Sequence, residues 1–378
     1  MASKTAFVAG ALTASTAAFF LWRAHGGVEG AQARRVRRAG PRRGTIDPAA
    51  LRAEPFDLPL RLAVRALRAS DYEHRFLALL AQLTTTGRIE RAFFERRLAQ
   101  CDAKSNTHII VAEDRDTGAV LASGTVVIEP KFIHECGLVG HVEDVVVDSC
   151  VRRKGIGKRI VTRLLALARE AGAYKVILDC AEDNVGFYES CGFKRKEVMM
   201  IRYFAEDALD ALGAALPAVL APSAPWGAGL TARQVTEADY DGALLGLLGQ
   251  LTTVGSIPRA YFNDRVAALG RGQYLVVIEQ EGGGGGGGSA SKVVAAGTLL
   301  VEAKFVHEAG LAGHIEDVVV DASVRGKGLG KKIISKLVDV ARAAGCYKVV
   351  LDCSAANAGF YVKCGFAQKE VQMAHYFQ

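Results

Sequence analysis

Apolar and polar positions along this chain follow two periods, and the whole pattern occurs twice. Residues 108–114 (HIIVAED), 119–129 (AVLASGTVVIE), 141–148 (HVEDVVVD) and 174–180 (YKVILDC) are rich in β-branched residues and predict strands. Residues 71–83 (DYEHRFLALLAQL) and 89–100 (IERAFFERRLAQ) carry helical periodicity. Residues 155–172 (GIGKRIVTRLLALAREAG) predict an amphipathic helix that opens on glycines and closes at Gly172. A short helix at 184–192 (NVGFYESCG) and a last strand at 193–204 (FKRKEVMMIRYF) complete a mixed α/β layer. Its main helix springs from the glycine-rich turn after a central strand.

The pattern then repeats. Residues 131–204 align with 304–377 without a gap and share 45 of 74 positions, and 83–97 (LTTTGRIERAFFERR) matches 251–265 (LTTVGSIPRAYFNDR). This is a tandem duplication, expected as an N-terminal segment (1–57), a first domain (58–204), an Ala/Pro-rich and partly helical linker (205–228) and a second domain (229–378). The glycine run 282–288 falls where the first copy has EDRDTG, so it predicts an expanded hairpin loop and not a boundary.

Charge changes the picture less than its total suggests. Of a net +7, the first 50 residues supply eight Lys or Arg against Glu29 and Asp47, and the rest is nearly neutral. With no basic-aromatic stripe, nucleic-acid binding is not expected. Residues 6–22 carry no charge and arginines follow, which reads as an uncleaved anchor leaving the domains on the cytosolic face of a membrane such as the endoplasmic reticulum. Import into an organelle by a transit peptide is the alternative. The eight cysteines form no CxxC pair and no cluster with histidine at metal spacing, so neither a metal site nor a disulfide framework is expected, and the cysteines read as small buried apolar residues.

The candidate chemistry lies after HVEDVVVD. The turn RRKGIGK presents backbone N–H groups at a helix N-terminus, glycine clears the approach of a phosphate, and Arg152, Lys154 and Lys158 add charge. It is not a Walker A loop, and Ile160 stands where a dinucleotide fingerprint needs its third glycine. The order R-x-x-G-x-G, amphipathic helix, LDC strand and N-x-x-FY…CGF resembles the acetyl-CoA-binding core of the GNAT superfamily of N-acetyltransferases. More narrowly, KFIH…GHVEDVVVD…GIGK…YKVILDC…NVGFYESCGF resembles the glucosamine 6-phosphate N-acetyltransferases within it, over about 150 residues in each half.

The resemblance implies two GNAT domains, each a mixed central sheet flanked by helices, with acetyl-CoA as co-substrate and no metal. It implies direct transfer of the acetyl group to the amine of glucosamine 6-phosphate in a ternary complex. CoA is expected against Val145, Val147, Arg152, Arg153, Lys154, Gly155, Ile156, Gly157, Lys158 and Asn184. The second copy offers Val318, Val320, Arg325, Gly326, Lys327, Gly328, Leu329, Gly330, Lys331 and Asn357. Glu143 and Asp144, repeated as Glu316 and Asp317, fill the acidic positions that handle the amine, and strand alternation sends the two members of each pair to opposite faces. Tyr188 and Tyr361 would donate to the departing thiolate. The sugar and its phosphate would meet Thr84, Lys131, His134, Tyr174, Lys175, Asp179 and Arg202, or Thr252, Lys304, His307, Tyr347, Lys348, Asp352 and His375. Family members are homodimers exchanging contacts through the last strand, so the duplication implies an internal pseudo-dimer. Another amine (a peptide N-terminus or a polyamine) or a non-catalytic acyl-CoA module are the rival readings.

Overall fold

The computed structural model describes residues 54–57, 61–204, 216–227, 229–241, 243–270, 272–281 and 291–377. The apolar segment 6–22 and its arginines, residues 205–215 and 228 of the linker, and the glycine run lie outside the described residues. No helix among the described residues is long and apolar enough to cross a membrane.

The first repeat contributes β1 (Glu54–Asp57), β2 (Arg61–Ala66), α1 (Phe76–Leu80), α2 (Arg91–Lys104), β3 (Thr107–Asp114), β4 (Val120–Pro130), β5 (Leu138–Val147), α3 (Ile156–Ala171), β6 (Ala173–Cys180), α4 (Val185–Ser190) and β7 (Lys194–Tyr203). After α5 (Leu216–Leu220), the second repeat runs β8 (Leu230–Gln234), α6 (Leu244–Leu248), α7 (Arg259–Ala268), β9 (Gln273–Gln280), β10 (Lys292–Ala303), β11 (Leu311–Val320), α8 (Leu329–Ala343), β12 (Cys346–Cys353), α9 (Ala358–Val362) and β13 (Ala367–Tyr376). The described strands form one sheet ordered β1-β2-β3-β4-β5-β6-β13-β7-β12-β11-β10-β9-β8. The last strands are therefore exchanged. β13 pairs antiparallel with β6 of the first repeat, β7 with β12 of the second, and β7 and β13 pair with each other in the middle.

Packing follows the exchange. α3 covers β4 and β5 through Ile160, Leu164 and Ala168, and that core takes in Val371 and Met373 from β13, whereas the core under α8 takes in Met200 from β7. A second exchange runs through the loops after β4 and β10. Phe305 packs against Phe94 of the first repeat with ring centroids 4.8 Å apart, and Phe132 packs against Phe262 of the second at 5.4 Å.

Two expectations need correction. Residues 71–83 do not form one helix: Arg75 sits at φ 72, in the left-handed region, and only the five residues of α1 are α-helical. The cysteines are not uniformly buried, because Cys150 is exposed beside the turn and Cys191 is half-buried. The reading of strands also missed β2, whose middle residues Leu62 to Arg65 are buried.

Candidate active sites

Each acidic pair is set by a β-bulge. On β4 and β5, Ser123 pairs with Val146 and Thr125 with Glu143, so Gly124 alone faces Asp144 and Val145. Asp144 takes φ 53 and its counterpart Asp317 φ 51, opposite Gly297. A Cβ on Gly124 would lie 2.8 Å from both Ile160 and Leu164, so the residue opposite the bulge must be glycine for α3 to pack. The bulge cancels the expected alternation: Glu143 and Asp144 turn to the same cation, the Nζ of Lys304, at 2.7 and 3.6 Å. The parallel ladder between β5 and β6 also ends at His141–Ile177, and the sheet opens beyond it. Into that opening project Glu143, Asp144, Asp179, Asn184 and Tyr188.

The cradle lies on the far side of the opening. Gly155 at φ 80 starts α3, and Arg152 folds back to donate from Nε to the Val147 carbonyl at 3.0 Å. A cavity of about 640 Å³ is lined by Val145, Val147, Arg152, Arg153, Gly155, Ile156, Gly157, Lys158, Asn184 and Tyr188, together with Phe187 and Gln82. Lys154 belongs to the turn but does not line the cavity. A Cβ on Gly157 would stand 3.2 Å from Phe187, while the space over Gly155 is open. Free N–H groups of a first helical turn, an open glycine and two lining basic side chains beyond Arg152 fit a pyrophosphate. The second repeat builds the same turn: Gly328 at φ 79 starts α8 with Leu329, Gly330 and Lys331, Arg325 donates to the Val320 carbonyl at 3.1 Å, and Gly326 and Lys327 complete it. Val318, Asn357 and Tyr361 line the cavity alongside. Gly155→Val forces a branched side chain into the left-handed region at about 1–2 kcal/mol. Binding must then restore the turn, so acetyl-CoA affinity is expected to fall about ten-fold at this site alone. Calorimetry should resolve two classes of site, and an unchanged isotherm would refute the cradle.

Tyr188 and Tyr361 stand between cradle and acidic pair. Burial pushes both phenols well above their ordinary range, so at neutral pH they carry the proton that a donor needs.

The walls of each site come from both repeats, which regroups the expected sugar contacts. Beside Glu143 and Asp144 lie Thr84 and Asp179 of the first repeat, but also Lys304, His307, Tyr347 and Lys348 of the second, in a cavity of about 340 Å³. Beside Glu316 and Asp317 lie Thr252 and Asp352 of the second repeat with His134, Tyr174 and Lys175 of the first, in about 510 Å³. His134 and His307 ride on left-handed turns, each with the two following residues also at positive φ. Such a run costs roughly 1–2 kcal/mol per residue and is clamped by the opposite repeat. His134 and Glu135 donate backbone N–H to Thr253 and Val254, while His307 and Glu308 donate to Thr85 and Thr86. Burial holds both imidazoles below their ordinary pKa, hence neutral.

Three expectations about phosphate do not survive. Lys131 is not among the residues lining the cavity beside Glu316: its Nζ lies 2.7 Å from Glu129, 2.9 Å from Glu316 and 3.3 Å from Asp317. Arg202 donates to the Cys364 carbonyl at 3.0 Å and His375 to the Gly192 carbonyl at 2.8 Å, both away from the cavities, because alternation turns these positions to the other face of β7 and β13. The same strands instead offer Lys196, Glu197 and Tyr376 to one cavity and Lys369, Glu370 and Tyr203 to the other, residues the sequence reading missed. Lys369 donates to the Tyr203 hydroxyl at 2.9 Å.

One further cluster was invisible in the sequence. His141, Glu302 and His314, drawn from both repeats, place ligand-capable atoms within 4.8 Å of one another in the interior. Lys304 already lies 2.8 Å from the Glu302 carboxylate, so a divalent cation would have to displace a buried ammonium.

A glycine-started helix after a bulged, opened strand, with an acidic pair and a buried tyrosine at the opening, is an arrangement that can hold an acyl-CoA beside an amine, and the fold carries it twice. The chain belongs to the acetyltransferase (GNAT) family, which it matches over residues 73–193 and 257–366. Its relatives include the glucosamine 6-phosphate N-acetyltransferase of Arabidopsis thaliana, 44% identical over 142 residues that span 37% of this chain and 95% of the relative. Glucosamine 6-phosphate N-acetyltransferase 1 of Oryza sativa subsp. japonica is 45% identical over 142 residues, 37% of this chain and 86% of the relative. The crystal structure of the Arabidopsis thaliana glucosamine-6-phosphate N-acetyltransferase matches with 42% identity and a TM-score of 0.38, over 38% of this chain and 99% of that one.

Proposed function

We propose that the chain transfers the acetyl group of acetyl-CoA to the amine of glucosamine 6-phosphate, giving N-acetylglucosamine 6-phosphate for UDP-N-acetylglucosamine synthesis. The observation that carries this reading is the composite cavity, in which an acidic pair, a protonated buried tyrosine and lysines from the opposite repeat converge next to the glycine cradle. The names of the relatives point to the same substrate.

Acetyl-CoA, when bound, supplies the thioester carbonyl. Around it, Glu143 accepts a proton from the sugar ammonium through water, leaving the neutral amine as nucleophile. Asn184 and the cradle orient the pantetheine side. As the N–C bond forms and the C–S bond breaks, Tyr188 passes its proton to the sulfur and regains one from solvent or from the nitrogen. Glu316, Asn357 and Tyr361 repeat this in the second site. Lys348 and Lys369 with neutral His307, and Lys175 and Lys196 with neutral His134, supply the positive and hydrogen-bonding wall a sugar phosphate needs. The exchanged strands support a chain that is its own dimer, carrying two working sites. For the N-terminal segment, anchoring to a membrane with the domains in the cytosol is our reading.

The test is CoA thiol release with glucosamine 6-phosphate beside unphosphorylated glucosamine. Turnover confined to the phosphorylated sugar is expected, and none with either sugar would overturn the assignment.

A further inference from the structure

Six charged or titratable side chains form the interior between the two sites. Glu129, Lys131 and His141 come from the first repeat and Glu302, Lys304 and His314 from the second, and all six are buried. Each lysine is anchored to a carboxylate of its own repeat, Lys131 to Glu129 at 2.7 Å and Lys304 to Glu302 at 2.8 Å, and reaches into the site of the other. Lys131 meets Glu316 and Asp317, and Lys304 meets Glu143 and Asp144. His141 lies 2.8 Å from Glu129 and His314 3.3 Å from Glu302, and the two rings stack edge-on at 5.4 Å, closing a continuous chain of contacts from one acidic pair to the other.

An ammonium this deep is stable only while its carboxylates stay ionised and placed, and removing it leaves them buried without a counter-ion. Burial works against the charge on Lys131, yet Asp317, Glu129 and Glu316 hold it well above the ordinary lysine range. Burial also opposes the charge on Glu316, but Lys131 keeps that group at about 2, while Asp317 is pushed up to about 6 by burial. Glu129, His141, Tyr174, Lys175, Glu197, Asp352 and Tyr361 face this pair from the neighbouring elements and set the rest of its field.

We propose that Lys131 and Lys304 are positioning residues acting across the repeats, each holding the acidic pair of the site in the opposite repeat. This rests on the reading that those pairs handle the amine. Each site is competent only while the other repeat is docked against it.

The test uses the full chain with one site silenced. In Tyr188→Phe, where only the second site turns over, adding Lys131→Met is expected to lower kcat about ten-fold or more, within the range a misplaced catalytic group costs. The acid limb of kcat/KM should move to higher pH as the carboxylates lose their counter-ion. In Tyr361→Phe, where only the first site turns over, the same change should cost less than about three-fold. Equal losses in both backgrounds, or a larger loss at the first site, would overturn the proposal. Lys304→Met, with the backgrounds exchanged, is the independent second variant. A readout free of substrate is the ¹³C carboxyl titration of aspartate-labelled protein. The Asp317 signal, identified by its loss in Asp317→Asn, should titrate at higher pH in Lys131→Met, and an unmoved titration overturns the inference even if another amine proves to be the substrate. Inactive parent proteins on glucosamine 6-phosphate with a moved titration would instead refute the substrate and leave the cross-repeat role standing.

Discussion

A chain reduced to residues 54–204 is expected to be a dimer in light scattering, with no folded monomer. β7 carries Met199, Met200 and Ile201, all buried, yet its partners are β12 and β13, and it never touches β6 in the sheet. In a lone first repeat these side chains would be exposed while β6 lost the strand that covers its edge. Each such side chain is worth about 1.5–3 kcal/mol, so the three together are worth roughly 5–9 kcal/mol. That is comparable to the whole stability of an ordinary domain, about 5–15 kcal/mol. Two fragments can recover it by exchanging β7 reciprocally, since β7 and β13 hold equivalent places. A folded monomer would show that β7 can fold back onto β6 and that exchange is optional.

Loss of both phenolic donors should be the most severe change to chemistry. With Tyr188→Phe and Tyr361→Phe combined, kcat is expected to fall by on the order of 10²–10³, the cost of deleting one donor aimed at developing negative charge. KM for the sugar should hardly move, because phenylalanine keeps the ring packing against Phe193 and Phe366. Each single variant should retain the turnover of the untouched site. Thiol release under saturating acetyl-CoA measures all four proteins. A double variant retaining more than about a third of the activity would remove the tyrosines from the mechanism.

The strands β3 to β7 and helix α3 were legible because their apolar residues recur at a clean period and glycines mark both ends of α3. The bulge at Asp144 was not, since alternation assumes an unbroken ladder. Its only trace is Gly124 inside a strand-like stretch, repeated at Gly297. The positions of the acidic pair, the tyrosine and the glycine turn could be read within one repeat because the segments that carry them fold locally. The sugar wall could not, because neighbours in sequence, such as Lys131 and Glu143, end at different sites once the repeats dock. Phe132 and Phe305 in the KFIH and KFVH segments were a usable signal: a bulky apolar residue beside a polar contact needs a core, and each finds it in the other repeat. On the last strand, Arg202 and His375 differ between copies whereas Lys196 and Lys369, and Tyr203 and Tyr376, agree. Of these three aligned positions, the two that agree between the copies line the cavities and the one that differs does not.

The reciprocal insertion of β7 and β13 has a consequence for divergence. In an assembly of identical chains any substitution appears in both sites, so a change that suits one and harms the other is lost. Here the partners are unlike halves held at one-to-one stoichiometry by a covalent link, and each site can drift separately. Arg153 against Gly326 in the cradles, and Met199 against a Gln372 that donates to Asp352, are differences of that kind already present. Such a chain can tune its two sites to different concentrations of the same substrates, a freedom closed to a symmetric pair.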